Sequence, residues 1–221
     1  MIELSPRLLN IRELVEPVLS IADVGTDHGY VPARLLQENL AEHVIATDVS
    51  KPSLDKSEGL LTELFPREKF DVRCGDGLKV LKRDEVNAVI IAGMGGQLMI
   101  RLLSDEMELV KSLDYIILQP MQGVELLFNW LSKHGFELLD TKLAREDRRF
   151  YPIMKLKFTN NNEEINYDSF YKSPNYPAFV EFQLNHYQQI EDQIRKSSKS
   201  KSDLEQIEAK KLKWVKRYEN L

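Results

Sequence analysis

The sequence predicts an α/β fold: a seven-stranded, mostly parallel sheet covered by helices, followed by an antiparallel helical hairpin of coiled-coil type. Three observations carry this expectation. Over residues 1–158, short β-branched runs alternate with amphipathic stretches, as they do where helices cover a parallel sheet. The last two of these runs are separated only by the short AREDRRF segment, which suits an antiparallel hairpin and not another crossover. From Thr159 onward the chain turns polar, and apolar residues then return at helical spacing.

Taken in order, strands are expected at 20–25, 43–48, 70–74, 88–93 and 114–119. Each ends in a small or polar residue at its carboxyl end, the edge at which open α/β sheets bind ligands. Helices are expected near 32–40, 52–65, 97–110 and 123–134, with Ser50 as a cap and Pro52 in the first turn of the second. Runs 136–143 and 150–158 close the sheet as a hairpin. The segment TNNNEEINYDS marks a boundary, dividing the chain into a sheet domain, 1–158, and an appendage, 159–221. In the appendage Val180, Leu184, Tyr187, Ile190 and Ile194 form one helical stripe, and residues 197–202 interrupt it. Leu204, Ile207, Trp214, Tyr218 and Leu221 form a second stripe, with Lys211 in one apolar slot.

Composition excludes several classes. Of 221 residues, 43% are apolar and 29% charged, which rules out wholesale disorder. The longest uncharged run, 86–100, is 15 residues with three glycines, too short to span a bilayer. With no visible leader, and with a lone Cys74 and four scattered His that offer neither a disulfide nor a zinc spacing, the expectation is a reduced, soluble, cytoplasmic protein without metal. Residues 195–217 carry nine basic and three acidic side chains, against 21 basic and 32 acidic in the rest. A basic appendage on an acidic body points to a polyanionic partner, the alternative being a helix merely solubilised by its charges.

Chemistry concentrates at the strand ends. Asp23-Val24-Gly25-Thr26-Asp27-His28-Gly29 follows the first strand in a D-x-G-x-G-x-G layout, with Asp27 where the middle glycine belongs. A carboxylate there repels a pyrophosphate but tolerates a sulfonium cation, favouring S-adenosylmethionine over NAD or ATP. Asp48, beside Val49, stands 23 residues after Gly25, where an acid can accept both ribose hydroxyls; capping of the Ser50 turn is the alternative. Asp76 can accept an adenine amino group, with Gly77 leaving room for the ring. Three acids at three consecutive strand ends carry the cofactor assignment. Gly93-Met94-Gly95-Gly96 is no phosphate loop; its glycines either admit a flat base or make a tight turn. Gln119-Pro120 faces the same crevice, Gln119 either reading a base edge or serving as a satisfied strand-end amide.

With DVGTDHGYVP (23–32), CGDG, AGMGG (92–96), LQPM (118–121) and the N-terminal SPRL segment, the chain resembles the bacterial tRNA (adenine(22)-N1)-methyltransferases over essentially its whole length. The resemblance implies a Rossmann-like class I methyltransferase sheet, S-adenosylmethionine as donor, and methyl transfer to N1 of an adenine in the tRNA D-arm region. It also implies donor contacts at Arg7, Gly25, Asp27, His28, Asp48, Asp76, Gly93 and Met94, to which Asp23, Val49 and Gly77 are added as neighbours. Adenine N1 has a free lone pair and gives a cationic product, so a carboxylate suffices and no base is required; Asp27 is the expected catalytic residue. Tyr30, Gly95, Gln119 and Pro120 are expected at the target base, and Lys210, Lys213 and Arg217 at RNA phosphates. Two other readings stay open: a small-molecule methyltransferase whose hairpin dimerises, and a non-catalytic RNA-binding module.

Overall fold

The computed structural model describes residues 2–196 and 201–221, with the backbone alone described at Lys201. Seven strands form one sheet: β1 (Val18–Val24), β2 (Ala41–Asp48), β3 (Phe70–Cys74), β4 (Ala88–Gly95), β5 (Tyr115–Gln122), β6 (Phe136–Glu146) and β7 (Arg149–Phe158). Their order is β3-β2-β1-β4-β5-β7-β6, parallel up to β5 and antiparallel through β7 and β6. This is the seven-stranded, mostly parallel sheet closed by an antiparallel hairpin that the strand pattern predicts. The central parallel strands are buried on both faces, which is why they read as near-continuous apolar runs.

Helices cover both faces. Ile11 of α1 (Pro6–Glu13), Leu35 of α2 (Tyr30–Gln37) and Leu61 of α3 (Lys51–Leu64) pack with Ile21, Ile90 and Ile117 in one core cluster. The alternate strand residues Val89, Ile91, Ile116 and Leu118 are equally buried on the opposite face. The helices α4 (Gly96–Asp105), α5 (Met107–Ser112) and α6 (Val124–Leu131) bury Met99, Leu102, Leu109, Leu127 and Leu131. Ser50 caps α3 and Pro52 lies in its first turn, as expected. Helix α1 is additional to the expected elements; Ser5 caps it and Pro6 opens it. The single helix expected at 97–110 is two, broken at Glu106 (φ −123°, ψ 39°). That break re-phases the chain so that Leu109 and Val110 are buried as well as Leu102 and Leu103.

The chain divides into two compact units, Met1–Asn166 and Tyr167–Leu221. The polar segment after β7 stays with the sheet because its side chains and backbone are hydrogen-bonded there. Asn162 Oδ1 accepts from Gly135 N at 3.2 Å, and Ile165 N donates to Ser132 Oγ at 2.9 Å. In the second unit, α7 (Tyr176–Lys196) and α8 (Lys201–Glu219) run antiparallel, since Arg195 pairs with Glu208 and Lys211 with Glu191. The expected interruption at 197–202 falls mainly on 197–200, outside the described residues. Trp214 is buried against the rings of Tyr167 and Phe179, at 5.0 and 5.3 Å. Lys211, the polar residue in an apolar slot, is accommodated because Glu191 and Gln188 of α7 receive its ammonium group. Tyr218 and Leu221 fall outside the packed stripe and are 49% and 56% exposed.

One close approach fixes how the β4 loop enters α4. A Cβ on Gly96 would lie 2.3 Å from the carbonyl oxygen of Gly123, backbone that cannot turn aside. The last glycine of the GMGG run is therefore required by packing of α4 against the start of α6. Gly96→Ala should destabilise the first unit by about 1–3 kcal/mol through overpacking. Urea unfolding of the variant checks this, and an unchanged midpoint would remove Gly96 from the list of packing constraints.

Candidate functional site

The strand order reverses at β1, with β2 and β3 to one side and β4 and β5 to the other. Open sheets bind ligands beyond the carboxyl ends of the strands at such a switch point. Two clefts open there and share Gly25. Gly25 has φ +80°, a conformation glycine adopts freely, and a Cβ there would meet the Met94 methyl at 2.5 Å.

The first cleft, 420 Å³, is lined by Arg7, Asp23, Thr26, Asp27, His28, Tyr30, Gly93 and Met121, among others. Asp23 is 8% exposed, and burial lifts its carboxyl to about 6; the Asp48 charge adds to this, while the Thr26 hydroxyl and Arg7 oppose it. The Thr26 hydroxyl comes near without a hydrogen bond of normal geometry. Thr26 Oγ1 and Thr47 Oγ1 are buried and without a partner among the described residues. Asp27 takes φ 44°, which Asp tolerates better than most residues, and its carboxylate is 67% exposed. Ser53 Oγ donates to Asp27 Oδ1 at 3.3 Å, and His28 Nε2 lies 3.5 Å from Oδ2. The His28 and Tyr30 rings stack, 5.3 Å apart and 7° from parallel.

Arg7 reaches this cleft from α1. Its Nη1 donates to Gln119 Oε1 at 2.8 Å, and Gly93 N donates to the same oxygen at 3.2 Å. Gln119 Nε2 donates to Pro120 O at 2.8 Å, so this fully buried amide uses both its ends inside the protein. A cation and two carboxylates in one concave site suit a zwitterionic, amino-acid-like group.

The second cleft, 200 Å³, is lined mainly by apolar groups of Val24, Val49, Met94, Leu98 and Leu102, with Thr47, Asp48, Asp76 and Arg101 at its polar positions. Asp48 Oδ1 accepts from Ser50 N at 2.7 Å, while no protein donor reaches its Oδ2 among the described residues. Arg101 grips Asp76 with two bonds of 2.8 Å and Lys79 lies 3.4 Å away; the Arg101 pair chiefly holds the Asp76 carboxyl down at about 2. An apolar slot ending in acceptors suits a nucleoside. Each cleft also contains one of the two unpartnered threonines, Thr26 in the first and Thr47 in the second.

All the donor contacts expected from sequence line one cleft or the other: Arg7, Asp23, Gly25, Asp27, His28 and Gly93 the first, and Asp48, Val49, Asp76, Gly77 and Met94 the second with Gly25. The expected base contacts divide differently. Tyr30 lines the first cleft, whereas Gly95, Gln119 and Pro120 line neither. Gln119 is the satisfied strand-end amide, because Arg7, Gly93 and Pro120 already occupy its hydrogen-bonding groups. In the second unit, Lys210 and Lys213 are exposed, but Arg217 is bonded to Asp168 at 2.6 and 3.0 Å and stacked 4.7 Å over Trp214. Arg217 thus serves packing within its own unit. Sequence reasoning omitted Thr26, Thr47 and Arg101; Thr26 lies inside the first motif, but nothing local to Arg101 signals its partner 25 positions away.

Such a fold and site define a class I methyltransferase, and the comparisons agree. The chain belongs to the methyltransferase domain family, whose model matches residues 4–154. It is 29% identical over 153 residues to the tRNA (adenine(22)-N(1))-methyltransferase of Bacillus subtilis, covering 69% of this chain and 64% of that one. It spans less than two thirds of the length of the curated relatives it matches. The crystal structure of the B. subtilis M1A22 tRNA methyltransferase TrmK superposes with a TM-score of 0.79 at 25% identity, covering 99% and 97% of the two chains. The M. capricolum TrmK structure, in complex with S-adenosyl-homocysteine, gives 0.84 at 20% identity over 98% of each chain, a likeness of fold.

A buried aspartate whose folded pKa lies above its unfolded value costs stability while ionised. For Asp23 that cost is complete above pH 6 and disappears as pH falls below 3.8, where both states are protonated. Asp23→Asn should therefore stabilise the protein by on the order of 3 kcal/mol at pH 8, an upper figure because Asn is also polar and buried. The advantage should shrink between pH 6 and 4 in denaturation curves. A difference independent of pH would show that Asp23 is not titrating in the folded protein.

Proposed function

We propose that this chain binds S-adenosylmethionine across the two clefts and transfers its methyl group to N1 of adenine(22) in tRNA. The observation that carries the proposal is the pairing, across Gly25, of a cleft with Arg7, Asp23 and Asp27 and an apolar cleft ended by Asp48 and Asp76. The first matches an amino-acid moiety and the second an adenosine. The unpartnered hydroxyls of Thr26 and Thr47 are further polar groups suited to a ligand. Likeness to a tRNA (adenine(22)-N(1))-methyltransferase supports the choice of nucleobase.

When bound, S-adenosylmethionine supplies an electrophilic methyl group beside a sulfonium charge. The chain's own residues orient and stabilise. Arg7 and Asp23 hold the two charged ends of the amino-acid group, and Asp48 accepts from the ribose hydroxyls. Asp27, exposed at the rim, faces the charge that grows on the adenine as N1 is alkylated. N1 lies on the pairing edge, so the base must leave its stack, and the Tyr30 ring, backed by His28, offers it a new one. Lys210 and Lys213 contact RNA phosphates. No described helix is long and apolar enough to cross a membrane, and among the described residues no cluster of His, Cys, Asp and Glu suits a metal ion; the proposed setting is the cytoplasm.

Incubation of tRNA with labelled donor, followed by mass-spectrometric mapping, should place the label on N1 of adenine(22). Asp27→Ala should lower turnover about 10²-fold at saturating donor, whereas Asp48→Ala should weaken donor binding about tenfold with a smaller effect on turnover. Micromolar binding of NAD, with none of S-adenosylmethionine or its demethylated product, would end this reading. Wild-type turnover by Asp27→Ala would remove that residue from the chemistry.

A further inference from the structure

The turn joining β6 to β7 holds a cluster of charge for which the proposed chemistry has no use. Glu146 pairs with Arg149 across the ladder, leaving Asp147 and Arg148 as a two-residue turn, with φ 52° at Asp147. Arg145, Arg148 and Arg149 are all exposed. Arg145 is tied down, its Nε donating to Asp147 O at 3.2 Å and its guanidinium lying 5.3 Å over the Phe150 ring. Arg148 and Arg149 have no side-chain partner among the described residues, an unusual state for two adjacent arginines on a body with excess acid.

Of the two acids at this turn, Asp147 is exposed and Glu146 is engaged elsewhere, so the three arginines outnumber the carboxylate left to them. Glu146 accepts the Arg7 backbone N–H at 2.8 Å, in the first turn of α1, where unsatisfied donors and the helix dipole favour a carboxylate. Its charge is thus engaged by the helix. The same bond fixes the location of the turn, because Arg7 is the residue whose guanidinium lines the 420 Å³ cleft. A second tie, Lys142 Nζ to Glu13 at 3.0 Å, holds β6 to the other end of α1. Two guanidinium groups therefore stand on a turn that is tied through Glu146 to Arg7, a residue lining the first cleft.

We propose that Arg148 and Arg149 form a phosphate-contact surface that grips the RNA backbone beside the target nucleotide, an inference that rests on the tRNA reading above. Guanidinium groups match phosphate with two parallel hydrogen bonds, and a pre-formed turn loses little entropy in making them. An enzyme that takes a base out of its stack has to hold the flanking backbone close to the reacting nucleotide.

The test uses the full chain with Arg148→Ala and Arg149→Ala combined, measuring tRNA binding by anisotropy over a salt series, methylation kinetics, and calorimetric affinity for S-adenosylhomocysteine. The slope of log affinity against log salt should fall by about two units, one per lost contact. The KM for tRNA should rise about tenfold or more while kcat and affinity for S-adenosylhomocysteine change less than about twofold. Replacing both by Lys should restore most of the salt slope but not all of the KM, since the charge returns without the fork. Methylation with unchanged slope and KM would overturn the surface and leave the tRNA reading standing. Binding that depends on the two arginines in a chain that methylates no tRNA would do the reverse. Failure of the wild-type chain to bind tRNA would overturn both.

Discussion

Right-handed crossovers oblige a parallel sheet that is extended first to one side and then to the other to send its helices to opposite faces. Here the change comes between β1 and β4. Helices α1, α2 and α3 share a core with one face of the sheet, and that layer parts from α4 and α6 beyond the strand ends. The two clefts are the consequence. Asp23, Asp27, Asp48 and Asp76 gather there because each lies at, or closely follows, the carboxyl end of β1, β2 or β3.

A second constraint turns this opening into a defined site. Gln119 is wholly buried, and its oxygen accepts from both Arg7 and Gly93 while its nitrogen donates to Pro120. One amide thereby joins α1, β4 and β5 through Arg7 and Gly93, which line the first cleft. Leaving any of those partners unsatisfied in a buried setting costs more than the bond contributes when made. Arg7 is consequently held in place before a ligand arrives, and the Glu146 carboxylate at the start of α1 holds the helix that carries it. Positioning of the cation thus depends on two long-range bonds from the second half of the first unit.

Those bonds explain which parts of the molecule were legible in the sequence. Strand periodicity, the hairpin implied by AREDRRF and the acids at strand ends are local signals, and β3 matches its expected limits at Phe70 and Cys74. Long-range partnerships leave no such mark. Arg7 and Gln119 are 112 positions apart, so the same Gln119 reads equally well as a base-reading amide or as a strut, and the structure makes it a strut. Gly96 likewise reads as room for a base until the Gly123 carbonyl is seen beside it. At the hairpin, a helical stripe predicts burial for Tyr218 and Leu221, yet the facing helix leaves both at the surface; the period fixes a face but not how far its partner extends.

The four aspartates, equivalent as letters, are made unequal by their surroundings. Burial raises Asp23 toward neutrality, and Arg101 with Lys79 keeps Asp76 ionised even in acid. Asp48 is oriented by a backbone N–H at 2.7 Å, while Asp27 is exposed on a left-handed residue, with a 3.3 Å bond from the Ser53 hydroxyl and His28 Nε2 at 3.5 Å. Asp76 and Asp48 therefore suit recognition, which needs fixed acceptors, and Asp76 is already locked by its arginine. Asp23 gains most from a cationic ligand, because an ammonium group would relieve the charge that burial disfavours. Asp27 alone combines an accessible carboxylate with a place at the cleft rim. In the proposed reaction, a group becoming positive as it reacts would meet that carboxylate without displacing an existing ion pair with arginine or lysine.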